Sequence, residues 1–229
     1  MTVPSNHGSP HPGGDPPKRN IGSGLGRAAA SARLRAVRIA LSHELIRAGR
    51  ALDRRGMIVA TQGNLSARVS TDRLLMTRSG SRKGELSTRD FVEIGVTEGK
   101  PDSPARRLVS GEHRVHRVAY TLRHDAESIL HAHPVALTAF ALRGTIPDFS
   151  RFDEGRLLVG PAGFVPYQPS GTQELADAVG RALLDSERPS LLLLGNHGAL
   201  ALGKTVDEAL SRLEIAEHLA ATLLAAEER

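Results

Sequence analysis

Short strand-like segments alternate with longer helical segments along most of this chain, and that order limits the architectures it can adopt. Aliphatic and β-branched runs separated by Gly, Ser and Asn predict strands at 57–60, 65–69, 73–77, 91–96, 128–133, 157–159, 164–166, 191–194 and 199–202. Apolar residues at helical spacing predict helices at 29–55, from 110 to 122, at 135–142, at 172–185 and from 205 onward. Strands with helices between them predict a layered α/β architecture.

The N-terminal segment differs in composition from the rest of the chain. Its first 27 residues hold five of the 13 prolines and six of the 23 glycines, and they almost lack large apolar side chains. Such a segment cannot bury enough apolar surface to order itself. We therefore predict a disordered tail over residues 1–28 and one globular domain over residues 29–229, a length that suits a single domain.

Several classes of protein are excluded by what the chain lacks. It has no cysteine, which excludes disulfides, thiolate zinc sites and a cysteine nucleophile. The N-terminus carries no apolar segment of the secretory type. The longest purely aliphatic run, residues 191–194, is far shorter than the roughly 20 residues of a membrane-spanning helix. These features predict a cytoplasmic protein without a membrane partner.

The charge pattern does not indicate a nucleic-acid partner. The formal net charge is +5, and the basic residues are 26 arginines and only 4 lysines. The arginines are scattered, and aromatic residues make up only 3% of the chain, so a platform for stacking bases is not expected. The pattern is typical of a solvated surface, with some arginines available to an anionic substrate.

Three histidines stand in positions that suit a metal ion. His131 and His133 are separated by one residue in a predicted strand, so their side chains project from the same face. His197 lies in a Gly-Asn-His-Gly turn directly after an aliphatic strand. Three histidines with an open fourth position are a standard ligand set for catalytic zinc. Taken alone, His131 and His133 would also suit an ordinary solvated strand face.

Other candidate residues leave alternatives open. Glu112 stands at the start of a predicted helix, where it either responds to the helix dipole or acts as a general acid/base near a metal. His116 shares its helix face and either packs or supports the site. Two turns, at 61–64 and 77–80, are either ordinary hairpin turns or backbone cradles for a phosphate.

Six segments, in their order along the chain, resemble the class II aldolase/adducin family. They read ATQGNLSARV, LLMTRSGSRKGELS, SGEHRVHRVAY, ILHAHPVALTAFAL, VPYQPSGTQELADAV and LLLLGNHGALALGKTVDEAL. Each is short and common on its own, but six in the right order are specific. Together they cover residues from about 60 to about 210.

The resemblance implies a fold, an assembly and a site. Members have a three-layer α/β/α fold around a central, mainly antiparallel sheet, and the catalytic members are homotetramers with sites at subunit interfaces. The implied cofactor is Zn²⁺, or another divalent metal such as Mn²⁺, held by His131, His133 and His197, with Glu112 as catalytic acid/base. The implied phosphate-binding residues of a small phosphorylated sugar are Thr61, Gly63, Asn64, Ser79, Gly80 and Ser110.

The leading function that the resemblance implies is that of an aldolase of the fuculose-phosphate type. Such an enzyme is a lyase that cleaves or forms a C–C bond in a small ketose phosphate through a metal-stabilised enediolate. Two features depart from the pattern. Gly111 stands where many members have a second serine, and the chain has only two tyrosines, Tyr120 and Tyr167, with none in the C-terminal helix. The donor that protonates the aldehyde oxygen is therefore in question.

Alternative functions within the same fold follow from the same residues. A sugar-acid phosphate decarboxylase and a methylthioribulose-phosphate dehydratase keep the histidines and the glutamate, and the run at 79–84 resembles the dehydratases. A pentulose-phosphate epimerase would carry aspartate where Glu112 stands. A non-catalytic, adducin-like scaffold would lack the metal site, whereas this chain has all three histidines.

Overall fold

A computed structural model describes Met1, residues 22–97 and residues 108–227 of the chain. Within those residues there are five α-helices and seven β-strands. The helices are α1 Gly22–Arg54, α2 His113–Leu122, α3 Val135–Arg143, α4 Gln173–Leu183 and α5 Val206–Glu227. The strands are β1 Asn64–Ser70, β2 Arg73–Thr77, β3 Phe91–Gly95, β4 Ser128–Ala132, β5 Ala162–Val165, β6 Leu191–Leu194 and β7 Gly198–Gly203.

All seven strands belong to one sheet, in the order β3-β2-β1-β4-β7-β6-β5. Five of the six neighbouring pairs are antiparallel, and β5 and β6 are parallel. The parallel pair is joined through helix α4, the kind of crossover that parallel neighbours require. The predicted α/β class is confirmed, and the sheet is mixed with an antiparallel majority.

Side chains that alternate along the strands supply a core on each face of the sheet. In β6, Leu191 and Leu193 belong to one core cluster, while Leu192 and Leu194 belong to the other, as the two-residue period of a strand requires. The first cluster includes apolar residues of α1 after Ala36, of α3 and of α5. The second includes residues of α2 and α4. Helices therefore cover both faces of the sheet.

The chain separates into two compact units, Met1–Arg35 and Ala36–Arg229. The sheet, the two cores and the histidines discussed above all belong to the second unit. Residues 2–21, most of the predicted tail, lie outside the described residues, and helix α1 begins at Gly22 rather than at residue 29. Residues 98–107 also lie outside them. No described helix is long and apolar enough to cross a membrane.

Three predicted elements differ from the structure for local reasons. Residues 57–60 are not a strand, because the main chain there closes helix α1: Gly56 has φ +69°, and the amide of Met57 donates to Leu52 O at 2.9 Å. Residues 157–159 lie in a π-helical turn, in which Gly160 N donates to Gly155 O at 3.0 Å. Helix α2 begins at His113, since residues 111 and 112 form a turn before it.

Candidate metal centre

Strand pairing brings the three histidines to one end of the sheet. His131 is the fourth residue of β4, and His133 follows directly after that strand. Strand β7 pairs with β4 so that His131 lies opposite Leu200. The tight turn between β6 and β7, in which Asn196 has φ +56°, therefore presents His197 beside the end of β4.

The Nε2 atoms of the three rings converge on one point. Nε2 of His131 lies 3.1 Å from Nε2 of His133 and 3.3 Å from Nε2 of His197. The ring centroids are 4.7 to 4.9 Å apart. One ligand atom from each residue lies within 4.8 Å of the others, which identifies a group that could hold a metal ion.

The chemistry of this donor set fits a divalent metal. Nδ1 of His131 lies 2.9 Å from the Ala199 carbonyl, which can only accept a proton, so Nδ1 carries the hydrogen and Nε2 presents a lone pair. Burial, together with the electrostatic effect of the neighbouring His131, lowers the pKa of His133 to about 3 and that of His197 to about 4. Neutral ring nitrogens this close repel unless a cation lies between them. Tetrahedral zinc, with Zn–N bonds of about 2.0–2.1 Å, would separate them by roughly 3.3–3.4 Å.

Glu112 faces the three histidines with its carboxylate. Oε2 lies 3.3 Å from Nε2 of His131, and Oε1 lies 3.3 Å from Nε2 of His197. Asn64 Nδ2 donates to Oε2 at 2.6 Å, and Ser170 Oγ donates to Oε1 at 2.8 Å. Burial alone would raise the pKa of Glu112, but the electrostatic effect of His131 and His197 and the two hydrogen bonds outweigh it and lower this pKa to about 2. The carboxylate is therefore ionised at neutral pH.

A row of buried polar side chains continues behind Glu112. Asn64 Oδ1 lies 2.5 Å from Nε2 of His116, and Nδ1 of the same ring lies 2.6 Å from Ser66 Oγ. Ser66 Oγ in turn lies 3.0 Å from the Tyr120 hydroxyl. Asn64, His116, Ser66 and Tyr120 are called the buried hydrogen-bond chain below. His116, for which packing and support of the site were both expected, thus contacts Glu112 through Asn64.

A cleft of about 300 Å³ opens beside the histidines and includes most of the predicted phosphate residues. Thr61, Gly63, Asn64 and Ser110 line it together with Glu112, whereas the exposed Ser79 and Gly80 are outside its lining. The other lining residues are Gln62, Gly111, His133, Ser170, Gly171 and His197. His131 lies beneath the cleft and is buried.

Two residues of the site were missed by sequence reasoning. Lys83 is only 2% exposed, and its Nζ donates to Thr61 O and to Ser81 O at 2.8 Å each, so it connects the 61–64 turn to the residue that follows the 77–80 turn. Ser170 Oγ donates a hydrogen bond to Oε1 of Glu112. Both lie inside segments already matched to the family, Lys83 in the run at 79–84 and Ser170 in VPYQPSGTQ. The only available signal was a polar residue at a turn, which does not indicate a partner.

Neither tyrosine of the chain lines the described part of the cleft. Tyr120 is fully buried within the hydrogen-bond chain, and Tyr167 is 57% exposed on the segment after β5. Hydroxyl groups at the cleft come instead from Thr61, Ser110 and Ser170. The tyrosine donors of a fuculose-phosphate aldolase therefore have no counterpart among the described lining residues.

Comparison with known proteins points to one family. The family model for the class II aldolase and adducin N-terminal domain matches residues 43–224. A methylthioribulose-1-phosphate dehydratase from Gluconobacter oxydans is 34% identical over 191 residues, covering 80% of this chain and 90% of the relative. A 5-methylthioribulose-1-phosphate/5-deoxyribulose-1-phosphate aldolase from Rhodospirillum rubrum is 35% identical over 189 residues, covering 80% of each chain.

The similarity extends to solved structures. The crystal structure of L-fuculose-1-phosphate aldolase from Thermus thermophilus matches with a TM-score of 0.68 and 29% sequence identity. The match covers 85% of this chain and 95% of that one. The likeness therefore spans nearly the whole of the solved chain.

Proposed function

Starting from the fact that the chain belongs to the class II aldolase and adducin family, we propose that it is a metal-dependent lyase that removes water from methylthioribulose 1-phosphate. The observation that carries this proposal is the single carboxylate, Glu112, held 3.3 Å from two of three converging imidazole nitrogens. The similarity to the Gluconobacter oxydans dehydratase supports the choice of reaction. The sequence alone favoured an aldolase and kept this dehydratase as an alternative, and the relatives support the alternative better.

The structure of a ribulose 1-phosphate determines which bonds the site must break and form. A ribulose 1-phosphate has a ketone at C2, hydroxyl groups at C3 and C4, and a phosphate at C1. Dehydration breaks the C3–H bond and the C4–O bond, and the electron pair of the C–H bond forms the C3–C4 double bond. The C3 hydroxyl of the resulting enol then loses its proton while C4 gains one, which gives a 2,3-diketone. One base that also delivers a proton to the departing hydroxyl is sufficient.

Glu112 is the residue that would move the proton. Its carboxylate is ionised at neutral pH because its pKa is lowered to about 2, and the ionised form is the one that can accept the C3 proton. The hydrogen bonds from Asn64 and Ser170 hold the two oxygens in place. Once protonated, the same carboxyl group would give its proton to the hydroxyl leaving C4.

His131, His133 and His197 would hold the metal ion, zinc or another divalent cation. When bound, the ion would supply Lewis-acid stabilisation of the negative charge that develops on the ketone oxygen as C3 loses its proton. The three imidazoles are neutral ligands, so they leave the charge of the cation available for that purpose. The Ala199 carbonyl fixes the orientation of His131 through its Nδ1 hydrogen.

The cleft beside the metal centre would bind the phosphate. Gly63, Asn64 and Ser110 offer main-chain or side-chain donors there, and turns of this kind accommodate anions. Beneath the 61–64 turn, Lys83 adds a buried positive charge. A cation close behind a cleft raises its affinity for a dianion. Ser79 and Gly80, which lie outside the cleft lining, are proposed only as the rim of this site.

Cleavage of the same substrate is the second candidate function. The Rhodospirillum rubrum relative, 35% identical, is described as a methylthioribulose-phosphate and deoxyribulose-phosphate aldolase. An aldolase would remove the C4 hydroxyl proton, break the C3–C4 bond to release an aldehyde, and return a proton to C3, which gives a three-carbon ketose phosphate.

One experiment separates the two reactions. Zinc-loaded protein is incubated with methylthioribulose 1-phosphate, and the products are followed by mass spectrometry together with a coupled assay for dihydroxyacetone phosphate. We expect a product lighter than the substrate by one water and no dihydroxyacetone phosphate. Formation of dihydroxyacetone phosphate and an aldehyde would assign the aldolase reaction. The absence of both products would overturn the proposal that this compound is the substrate.

A further inference from the structure

Helix α2 and strand β1 join along a row of polar side chains that ends at Glu112. We propose that His116 is a positioning residue: Ser66 and Tyr120 hold it in one tautomer, and it holds the Asn64 amide with its NH₂ group toward Glu112. This inference rests on the proposed function only in that Glu112 is the group that moves the proton. The hydrogen-bond geometry itself is independent of the substrate.

The periodicities of helix α2 and strand β1 bring these polar side chains together. Glu112, His116 and Tyr120 are spaced by four residues at the start of α2 and along it, so they share one helix face. Asn64 and Ser66 are spaced by two residues in β1, so they share one face of the strand. The two rows interdigitate, and every contact between neighbours is 3.0 Å or shorter.

The hydrogen bond to Glu112 sets the orientation of the Asn64 amide. Asn64 Nδ2 donates to Glu112 Oε2 at 2.6 Å, so the amide nitrogen faces the carboxyl group. The amide oxygen then faces Nε2 of His116, at 2.5 Å, and an amide oxygen only accepts. Nε2 of His116 must therefore carry a hydrogen.

The far side of the ring is fixed by the same reasoning. Burial, the largest influence, lowers the pKa of His116 to about 3, so the ring is neutral and Nδ1 carries no hydrogen. Ser66 Oγ donates to Nδ1 at 2.6 Å, which leaves the Ser66 oxygen to accept from the Tyr120 hydroxyl at 3.0 Å. Each donor along the buried hydrogen-bond chain thus points toward Glu112.

The buried hydrogen-bond chain is shielded from water, so its order of donors and acceptors is difficult to change. Ser66, His116 and Tyr120 are 0% exposed, and Asn64 is 3% exposed, so water cannot replace a lost partner, and an unpaired group is costly. If the His116 hydrogen moved to Nδ1, the ring would present a lone pair to the Asn64 oxygen. The amide would turn and place its oxygen against the Glu112 carboxylate, which would move that carboxylate away from the histidines.

The test compares two buried serines. Ser66→Ala removes the donor to Nδ1 of His116. Ser128→Ala is the matched control, because Ser128 is also 0% exposed and lies in the adjacent strand, and its hydroxyl donates only to the main-chain oxygen of Ser66. Thermal unfolding of both variants shows whether they fold equally well. Tyr120→Phe removes the outer hydroxyl but leaves the Ser66 donor in place.

The first readout is the tautomer of His116. Full-length protein labelled with ¹⁵N-histidine, zinc-loaded and zinc-free, gives long-range ¹H–¹⁵N spectra that report which ring nitrogen carries hydrogen. We expect hydrogen on Nε2 alone in the unmodified protein, in Ser128→Ala and in Tyr120→Phe, and a second tautomer in Ser66→Ala. Hydrogen on Nδ1 of His116 in the unmodified protein would overturn the inference, and this measurement requires no variant to fold.

The second readout is turnover of zinc-loaded protein with methylthioribulose 1-phosphate. In Ser66→Ala, kcat should fall about tenfold at unchanged KM and zinc content, while Ser128→Ala should stay within about twofold. Equal kcat in the two serine variants, with His116 still hydrogenated on Nε2 alone, would overturn the positioning role. If the unmodified protein turns over no substrate, the proposed function fails, and the tautomer spectra alone then decide this inference.

Discussion

Gly63 lies directly against the main-chain carbonyl of His131, so a Cβ atom on Gly63 would overlap that oxygen. Gly63 also has φ +68°, a conformation that other residues adopt only with strain. The first turn of the cleft is therefore packed against the strand that carries His131, the first proposed metal ligand. A change in this turn is expected to move both the phosphate cleft and the metal centre.

Gly63→Ala should lower thermal stability and weaken metal binding together. The strained φ contributes about 1–2 kcal/mol of destabilisation, and the overlap with His131 adds about 1–3 kcal/mol. Gly56→Ala is the control, because Gly56 has φ +69° with nothing within 4 Å of its Cβ position. Thermal unfolding and zinc titration are measured on both variants. Equal losses of stability with unchanged zinc affinity would contradict the close packing of Gly63 on His131.

His131→Ala should abolish stoichiometric metal binding. His131 is the ring that approaches both other ligands through Nε2, and two remaining histidines hold zinc far less tightly than three. The control is His124→Ala, because His124 is an exposed histidine at the end of α2. Metal content after dialysis is measured by mass spectrometry. Retention of one equivalent of zinc by His131→Ala would remove this residue from the ligand set.

Lys83→Met should weaken phosphate binding while it preserves the chemical step. It removes the buried charge that ties Thr61 to Ser81, and we expect KM to rise about tenfold, as loss of one charge-assisted interaction implies, with kcat within about twofold. Arg82→Met is the control, because Arg82 is an exposed neighbour paired with Glu85. Inhibition by inorganic phosphate gives a second measurement. An unchanged KM would remove Lys83 from the phosphate site.

The pKa of Lys83 predicts that KM depends on pH in the alkaline range. Burial lowers its pKa to about 8, against the opposing charge of Glu112, so its positive charge is present below that pH and is lost above it. KM of the unmodified protein should rise as the pH passes about 8, and this rise should be absent from Lys83→Met. The same rise in the variant would assign the effect to another group.

The metal-free protein should lose stability in mild acid. Burial lowers the pKa of His116 and His133 to about 3 and that of His197 to about 4. Between pH 6.5 and 4 the unfolded chain therefore binds protons that the folded chain does not, and the free energy of unfolding falls as pH falls. For His116 alone the slope is about 1 kcal/mol per pH unit.

The variant that checks this acid effect is His116→Gln, which should show a shallower fall between pH 6.5 and 4. His124→Gln, in which an exposed histidine is replaced, should keep the slope of the unmodified protein. Denaturant unfolding at several pH values measures both. Identical slopes in the two variants would show that His116 does not contribute.

Regular elements with a clear period were predictable from the sequence. Strand β2, Arg73–Thr77, has the bounds that its apolar run indicated, and strand β7 differs by only one residue at each end. The segment at 57–60 has the same apolar composition, but Gly56 ends helix α1 with a bond from the Met57 amide to Leu52. This local hydrogen bond determines the conformation of residues 57–60, and a hydrophobic pattern carries no information about it.

The clustering of the three histidines was predictable from the sequence, their role as metal ligands stays a prediction, and the side chains that support the site were not predictable. The spacing of His131 and His133 indicated one shared face, and the structure places His197 beside them. The roles of Lys83 and Asn64 depend on contacts with residues far away in the sequence. Lys83 contacts Thr61, 22 positions away, and Asn64 contacts Glu112, 48 positions away. Sequence spacing does not encode such contacts. The homotetramer and the cytoplasmic location stay predictions.

The most direct test of the account is the product formed by the Glu112→Gln variant from methylthioribulose 1-phosphate. Gln keeps the shape of Glu112 but cannot accept the C3 proton, so the variant should retain one equivalent of zinc, and dehydrated product should form at least about 100-fold more slowly than with the unmodified protein. Product formation at the unmodified rate by zinc-loaded Glu112→Gln would contradict the account.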